Sequence, residues 1–481
     1  MLKQKAKIAL GWSALDQAIQ QGLLFAISVT LARLVAPETY GTVALLQFFT
    51  GIAGVFVDGG LSSALIQKND TTHTDESTVF WFNLAAGALL GIVLFACAPW
   101  ISRFYGIPVL LPITRLYSLQ FFLAACNSVQ NTLYSKHLDF KTPLKIATAT
   151  TLVSAAIGIY LAWKGCQIWA LVAQSMAAAI LQTVLIWTLS SWRPALTFSP
   201  ASFRTLFRYS GYLFLSSLLD SVYQRCYTLI IGKIYGVRDL GIYNRADATK
   251  QLPTSVLTGI LSKVAFPLFS QAAGDLPQLR RGFRLSIRAV MFLNIPIMLG
   301  VAVVSEPLIL TLFGPVWASA VPLLQILAIG SVLWPLHVLN LSVLKALGHS
   351  NKFFKVELIK KSVGLTLVVI GSLYGMQGMA LAVVISSVFS FTFNAYYNGK
   401  LLDYGAWRQI VDFSPALLCG CLMAVVVITT ARFLHFAPLL QLLTLTSIGA
   451  ASYFVFASLF RVTELSDAIR LTRISMAQGR L

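Results

Sequence analysis

Apolar residues in this chain come in long blocks, each about 20 residues, which is the length a helix needs to cross the hydrocarbon core of a bilayer. About fourteen such blocks can be marked, near 11–35, 40–66, 78–100, 110–135, 146–163, 167–190, 208–235, 240–270, 284–304, 321–346, 356–374, 377–399, 412–433 and 438–460. Prolines punctuate their ends, as at Pro37, Pro99, Pro108, Pro143, Pro194, Pro307 and Pro322. A β-barrel would instead show short segments of alternating polarity. The pattern predicts an all-α polytopic membrane protein with about fourteen transmembrane helices.

Polar positions inside these blocks are ordered too. Ser13, Asp16, Gln17 and Gln20 recur at three- and four-residue steps and so share one face of the first helix. The second carries Gln47, Thr50, Asp58 and Ser62 beside Gly51 and Gly54, and the fourth carries Gln120, Asn127, Asn131 and Tyr134. The seventh carries Ser217, Asp220, Ser221, Gln224 and Thr228, and the eighth Asp247, Lys250, Gln251, Thr254 and Thr258. Lipid offers such groups no hydrogen bonds, so each stripe must face protein or water. Helix packing accounts for single Ser, Thr, Asn or Gln residues. Charges demand more: Arg33, Arg115, Arg225, Arg245, Lys250 and Lys263 facing lipid would each cost about 3 kcal/mol. Arg33, Arg115 and Lys263 lie near block ends, where a long side chain can snorkel to the interface. Arg225 and Lys250 lie deeper, with Asp220 and Asp247 as candidate neighbours, and the three-residue spacing of Asp247 and Lys250 suits an ion pair. Together these residues predict a central hydrated cavity with excess positive charge, suited to an anionic cargo.

The chain also echoes itself. LARLVAPETYGTV from Leu31 and IGKIYGVRDLGIY from Ile231 align at an offset of about 200 positions, bringing Gly41 onto Gly241 and Gly11 onto Gly211. A second pair, GCQIWALV from Gly165 and GMQGMALA from Gly375, shares G-x-Q-x-x-A-L. An offset equal to about six helices returns the chain to the membrane in the same orientation, which predicts parallel repeats. The expected division is 1–200 and 201–405, two six-helix bundles, with two further helices and a tail in 406–481.

Composition agrees: hydrophobic residues make up 57% of the chain and charged residues 11%, against about one quarter charged in soluble domains. The formal net charge of +19 sits in short loops. Alternating the loops between two sides puts Lys136, Lys141, Arg204, Arg280, Arg281, Lys352, Lys355 and Lys400 on one side with the N-terminus. Few cations, among them Arg103, Lys164, Lys233 and Arg238, fall on the other. This is the positive-inside asymmetry, not a groove for nucleic acid, and it predicts cytoplasmic termini. The six cysteines lie in or beside apolar blocks without disulfide or zinc spacing and are expected to pack. Lys3, Lys5 and Lys7 precede a block too polar for a signal peptide, which is expected to be a retained first helix.

No catalytic set is visible: Walker A, HExxH and Cys/His metal spacings are missing, so neither an enzyme nor a cofactor or metal is expected. His337, beside Trp334 and Pro335, lies well inside a block, and packing is favoured for it over function.

GWSALDQ (11–17), LVAPETYGTVAL (34–45), the D-x-G-x-x-x-A-L-I-Q run from Asp58 to Gln67, and GVRDLGIYNRADATKQLPTSVLTGILSKVAFPLFS (236–270) together resemble the polysaccharide exporter family of bacterial flippases. FGPVWASAVPLLQIL (313–327) and GHSNKFFK (348–355) extend the likeness to these Wzx-type carriers, whose superfamily also holds multidrug extruders and lipid II flippases. The resemblance implies two six-helix bundles around a V-shaped cavity, plus two C-terminal helices. It implies translocation, by alternating access, of an undecaprenyl-pyrophosphate-linked oligosaccharide from the cytoplasmic to the periplasmic leaflet of the bacterial inner membrane. Surrounding lipids are implied partners, as are a polysaccharide polymerase and export machinery. Arg225, Arg245 and Lys250 are the candidate pyrophosphate or acidic-sugar contacts, with Asp220, Asp247, Gln224, Asp16, Asp58 and Asn127 as further polar candidates in the cavity. A cation-coupled drug exporter or a lipid II-type flippase would share the fold, although the former favours an acidic lumen. A glycan polymerase or ligase would need longer extramembrane loops than this chain shows.

Overall fold

The computed structural model describes residues 20–68, 70–137, 139–434 and 436–465. Among them every regular element is helical. Helix α1 covers residues 20–34 of those described. It is followed by α2 (Pro37–Asp58), α3 (Leu61–Gln67), α4 (His73–Tyr105), α5 (Leu110–Lys136), α6 (Lys141–Trp163), α7 (Ile168–Leu189) and α8 (Pro200–Ile234). Then come α9 (Val237–Gln271), α10 (Leu276–Val303), α11 (Ser305–Leu312), α12 (Ala320–Ser331), α13 (Trp334–Ala346), α14 (Ser350–Gly371), α15 (Gly375–Leu402), α16 (Ala406–Phe433) and α17 (Pro438–Leu459).

Within the described residues, each predicted apolar block falls on one helix or on a broken pair. The second block is split at Gly59 and Gly60, whose φ angles of 54° and 70° are left-handed and end α2 before α3 begins. Nine stretches of the described residues are long and apolar enough to cross a membrane by length and composition alone. Helices α8 and α9 are 35 residues each. The ends follow local chemistry: α4 starts with a capping box between Thr72 and Asp75, and Gly106 closes it at φ 69°.

The chain forms two compact units, Met1–Gly241 and Ile242–Leu481. In the first, α4 packs on α5, α6 on α7, and α2 on both α5 and α8. Leu61, Leu65, Phe80, Val129 and Leu133 form one core cluster, and Ala53, Val57, Leu94, Phe121 and Ala125 another. Lysines of the loops turn inward to cap backbone. Lys136 Nζ donates to the Leu65 and Lys68 carbonyls at 2.9 and 2.7 Å, and Lys68 pairs with Asp75 at 2.6 Å.

The first unit also brings the echoed glycines together. A Cβ at Gly41 would lie 1.7 Å from the Val237 carbonyl oxygen, and one at Gly241 would lie 2.0 Å from the Pro37 carbonyl oxygen. Residue and partner exchange roles across the contact, as at an isologous interface. Glu38 and Arg238, which the offset also makes equivalent, form an ion pair at 3.4 Å. In the second echo, Gly165 and Gly375 have φ of 80° and 81°, just ahead of α7 and at the start of α15.

In the second unit α14 packs on α15, α12 on α15, and α10 on α16. Phe283, Ile287, Met291, Ile295 and Met298 of α10 share one core with Phe413, Cys419 and Met423 of α16 and with Tyr453 of α17. Tyr453 donates to the Phe292 carbonyl at 2.8 Å. The two last helices are therefore part of this core. At one end Arg284 grips Asp412 through two nitrogens at 2.6 to 2.9 Å while Tyr404 donates to the same carboxylate at 2.6 Å. All six cysteines are free thiols.

Candidate functional site

Within the first unit the polar stripes separate into packing and non-packing members. Gln20 of α1 exchanges hydrogen bonds with Thr148 and Thr151 of α6 at 3.3 and 3.2 Å. Thr132 of α5 donates to Ser62 at 2.8 Å. Asn127, buried on α5, donates to Thr183 of α7 at 2.9 Å and so joins two helices. Arg115, exposed on α5, stacks over the Phe95 ring of α4 at 4.8 Å.

Arg225 behaves differently. Its side chain leaves α8 and lies across α2, where Nη1 donates to the Gln47 carbonyl oxygen at 2.5 Å. Gly51 makes the crossing possible: a Cβ there would sit 2.0 Å from Cζ and 2.2 Å from Nε of the guanidinium. The partner is thus a neutral helix carbonyl, not a carboxylate. One turn beyond the seat, a Cβ at Gly54 would meet nothing within 4 Å, so that face of α2 is open. Gln224 is exposed on α8 and Asp220 is half-buried one turn before it. Asp58 is the last residue of α2, with its side chain outside the description. Asp16, with Ser13 and Gln17 of the same stripe, lies outside the described residues. An apolar cleft of about 510 Å³ opens beside this region, walled by Phe49 and Phe56 of α2, Val93, Trp100 and Phe104 of α4, and Leu229 of α8.

Within the second unit Lys250 and Asp247 form the ion pair their spacing suggested, at 3.0 Å, with Lys250 14% and Asp247 43% exposed. Arg245 takes a course the sequence did not reveal. It is buried, 6% exposed, with its guanidinium 4.8 Å from the ring of Phe313 and 5.0 Å from that of Trp317. The signal was present in FGPVW, an aromatic pair around a glycine-proline turn, but nothing along the chain joins it to a residue about 70 positions away.

The asparagines of α13 and α15 also escaped notice. Asn340 and Asn398 bond each other at 2.7 Å, Gln409 donates to Asn340 at 2.9 Å, and His337 meets both Ser387 and Asn394 at 3.1 Å. His337 is therefore a satisfied member of a buried network, the packing role favoured for it. Asn394 and Asn398 stand four apart on one helix face, which was the available clue.

The model of the family described as "Polysaccharide biosynthesis protein" matches residues 30–322, and that described as "Lipid II flippase MurJ" matches 238–447. The succinoglycan biosynthesis transport protein ExoT of Rhizobium meliloti (strain 1021) is 29% identical, over 98% of this chain and 95% of its own length. The teichuronic acid biosynthesis protein TuaB of Bacillus subtilis (strain 168) is 30% identical over 63% of this chain and 64% of its own. Among solved structures, a lipid II flippase MurJ in an inward closed conformation superposes with a TM-score of 0.77 at 16% identity, covering 93% of this chain and 98% of that one. That likeness shows a shared all-helical fold. With a family model spanning more than half of its length, the chain belongs to the polysaccharide biosynthesis protein family.

Proposed function

We propose that this protein is a flippase that moves an undecaprenyl-pyrophosphate-linked oligosaccharide from the cytoplasmic to the periplasmic leaflet by alternating access, for a cell-surface polysaccharide. Relatives named for succinoglycan transport and teichuronic acid synthesis, and a fold shared with a lipid II flippase, support a lipid-linked glycan cargo. The chain is a multi-pass membrane transporter and not an enzyme. The finer frame is two parallel six-helix halves, 1–200 and 201–405, around a cationic cavity, with 406–481 appended. The membrane is the bacterial inner membrane, both termini are cytoplasmic, and the flipped product passes to a polymerase and export machinery.

The observation that carries the reading is Arg225. A guanidinium at this depth whose hydrogen-bond partner is a neutral carbonyl retains its charge for an anion, and arginine's fork suits phosphate oxygens. The polar residues Gln224, Asp220 and Asp58 belong to the same helices and are assigned to the sugar. Lys250 and Arg245 are assigned to the cavity as secondary cations, one held by Asp247 and the other by aromatic rings.

In a strain lacking the protein, Arg225→Ala should accumulate in the membrane at normal level yet fail to restore the polysaccharide, with lipid-linked precursor building up inside. Full restoration by Arg225→Ala removes the cation from the mechanism. Drug hypersensitivity of the deletion strain with normal polysaccharide would favour a drug exporter instead.

A further inference from the structure

We infer that Gly51 is a positioning residue that gives Arg225 a resting seat on α2, and that a diphosphate anion binds by drawing the guanidinium off the Gln47 carbonyl. The observations are geometric. The guanidinium occupies the volume that any side chain at position 51 would fill, with three of its atoms within 2.3 Å of where a Cβ would be. Its hydrogen bond, 2.5 Å to Gln47 O, is made to a carbonyl already placed in a helix, so the bond compensates the charge only with a dipole. The Gly54 face one turn on is open to 4 Å and leaves room for an incoming group. Gln47 itself is exposed.

A cation in a low-dielectric setting needs a partner in every state of a transport cycle. A carboxylate would serve too well, because an anionic cargo would then have to displace a full ion pair. A carbonyl is weaker than a phosphate oxygen as an acceptor from guanidinium, so it yields to cargo and takes the arginine back afterwards. The seat thus competes with the anion, and its strength sets both affinity and release. Any residue larger than glycine at position 51 weakens the seat without touching the charge.

The inference rests on the flippase reading only for the nature of the anion, and its test uses inorganic pyrophosphate with the full chain in nanodiscs. Gly51→Ala should bind pyrophosphate about tenfold more tightly than wild type, because the competing rested state is depopulated, while transport in cells slows. Arg225→Ala should not bind in either background. Weaker or unchanged binding by folded Gly51→Ala overturns the seat. A second measurement needs no change at position 51: with ¹⁵N-labelled arginine, pyrophosphate should shift one guanidinium signal, identified by its loss in Arg225→Lys. A signal that does not move overturns the exchange. Wild-type binding by Arg225→Ala would instead defeat the assignment of Arg225 to the cargo and leave Gly51 a packing residue.

Discussion

At the scale of residues, charge on the long helices α8 and α9 is handled by three different partners: a carbonyl for Arg225, aromatic faces for Arg245 and a carboxylate for Lys250. The last is unequal, since Lys250 is the more buried member of its pair. Removing the acid therefore strands a buried ammonium, whereas removing the lysine leaves a carboxylate that water can still reach. Asp247→Asn should lower the amount of folded protein more than Lys250→Ala does, and the double change should recover it. Size-exclusion profiles of fluorescent fusions would show this order. Equal losses from both single changes would mean that the pair's exposure does not govern its energetics. The spacing made this pair legible, because side chains three apart on a helix must meet. The seat of Arg225 and the aromatic box of Arg245 were not legible, since each depends on a residue from another helix.

At the scale of elements, helix length and helix breaks follow from local sequence, while close approach does not. The prolines at the starts of α2, α8 and α17 occupy the first turn, where no amide bond is lost. The contact at Gly41 and Gly241 is a matter of tertiary packing: the backbones meet so closely that a methyl group would fall 1.7 to 2.0 Å from a carbonyl oxygen. Gly41→Val or Gly241→Val should force the helix starts apart and destabilise the protein by about 1 to 3 kcal/mol, the usual cost of overpacking. Thermal unfolding in detergent would measure it. Gly22→Ala, where no neighbour lies within 4 Å, is the matched change expected to be silent. The echo between the two segments could be seen in the sequence, but not that its two copies would touch each other.

For the whole molecule, the asymmetry of Lys and Arg between alternate loops is the longest-range signal in the chain, and it makes a topological prediction. Reporter fusions after Arg204, Arg281 and Lys355 should report the cytoplasm, and fusions after Tyr105, Arg238 and Gly375 the periplasm. Arg204 and Arg238 flank most of α8, so a shared side for them would mean that this charged helix does not cross.

Membrane class, helical architecture and the positions of most helices were determined by the sequence itself, because a bilayer allows only long, internally bonded apolar segments and writes that rule locally. So were the echo between the segments around Gly41 and Gly241 and the demand that a charge on an apolar helix find a partner. Which partner each charge takes was decided only by the tertiary structure. Asn127 turned from a cavity candidate into a tie between α5 and α7, and Arg225 found a glycine of α2 to lie across. The physical reason is that polarity constrains which face of a helix avoids lipid, whereas the identity of the facing helix, and the presence there of a side chain, a carbonyl or a gap, depends on packing between segments far apart in the chain.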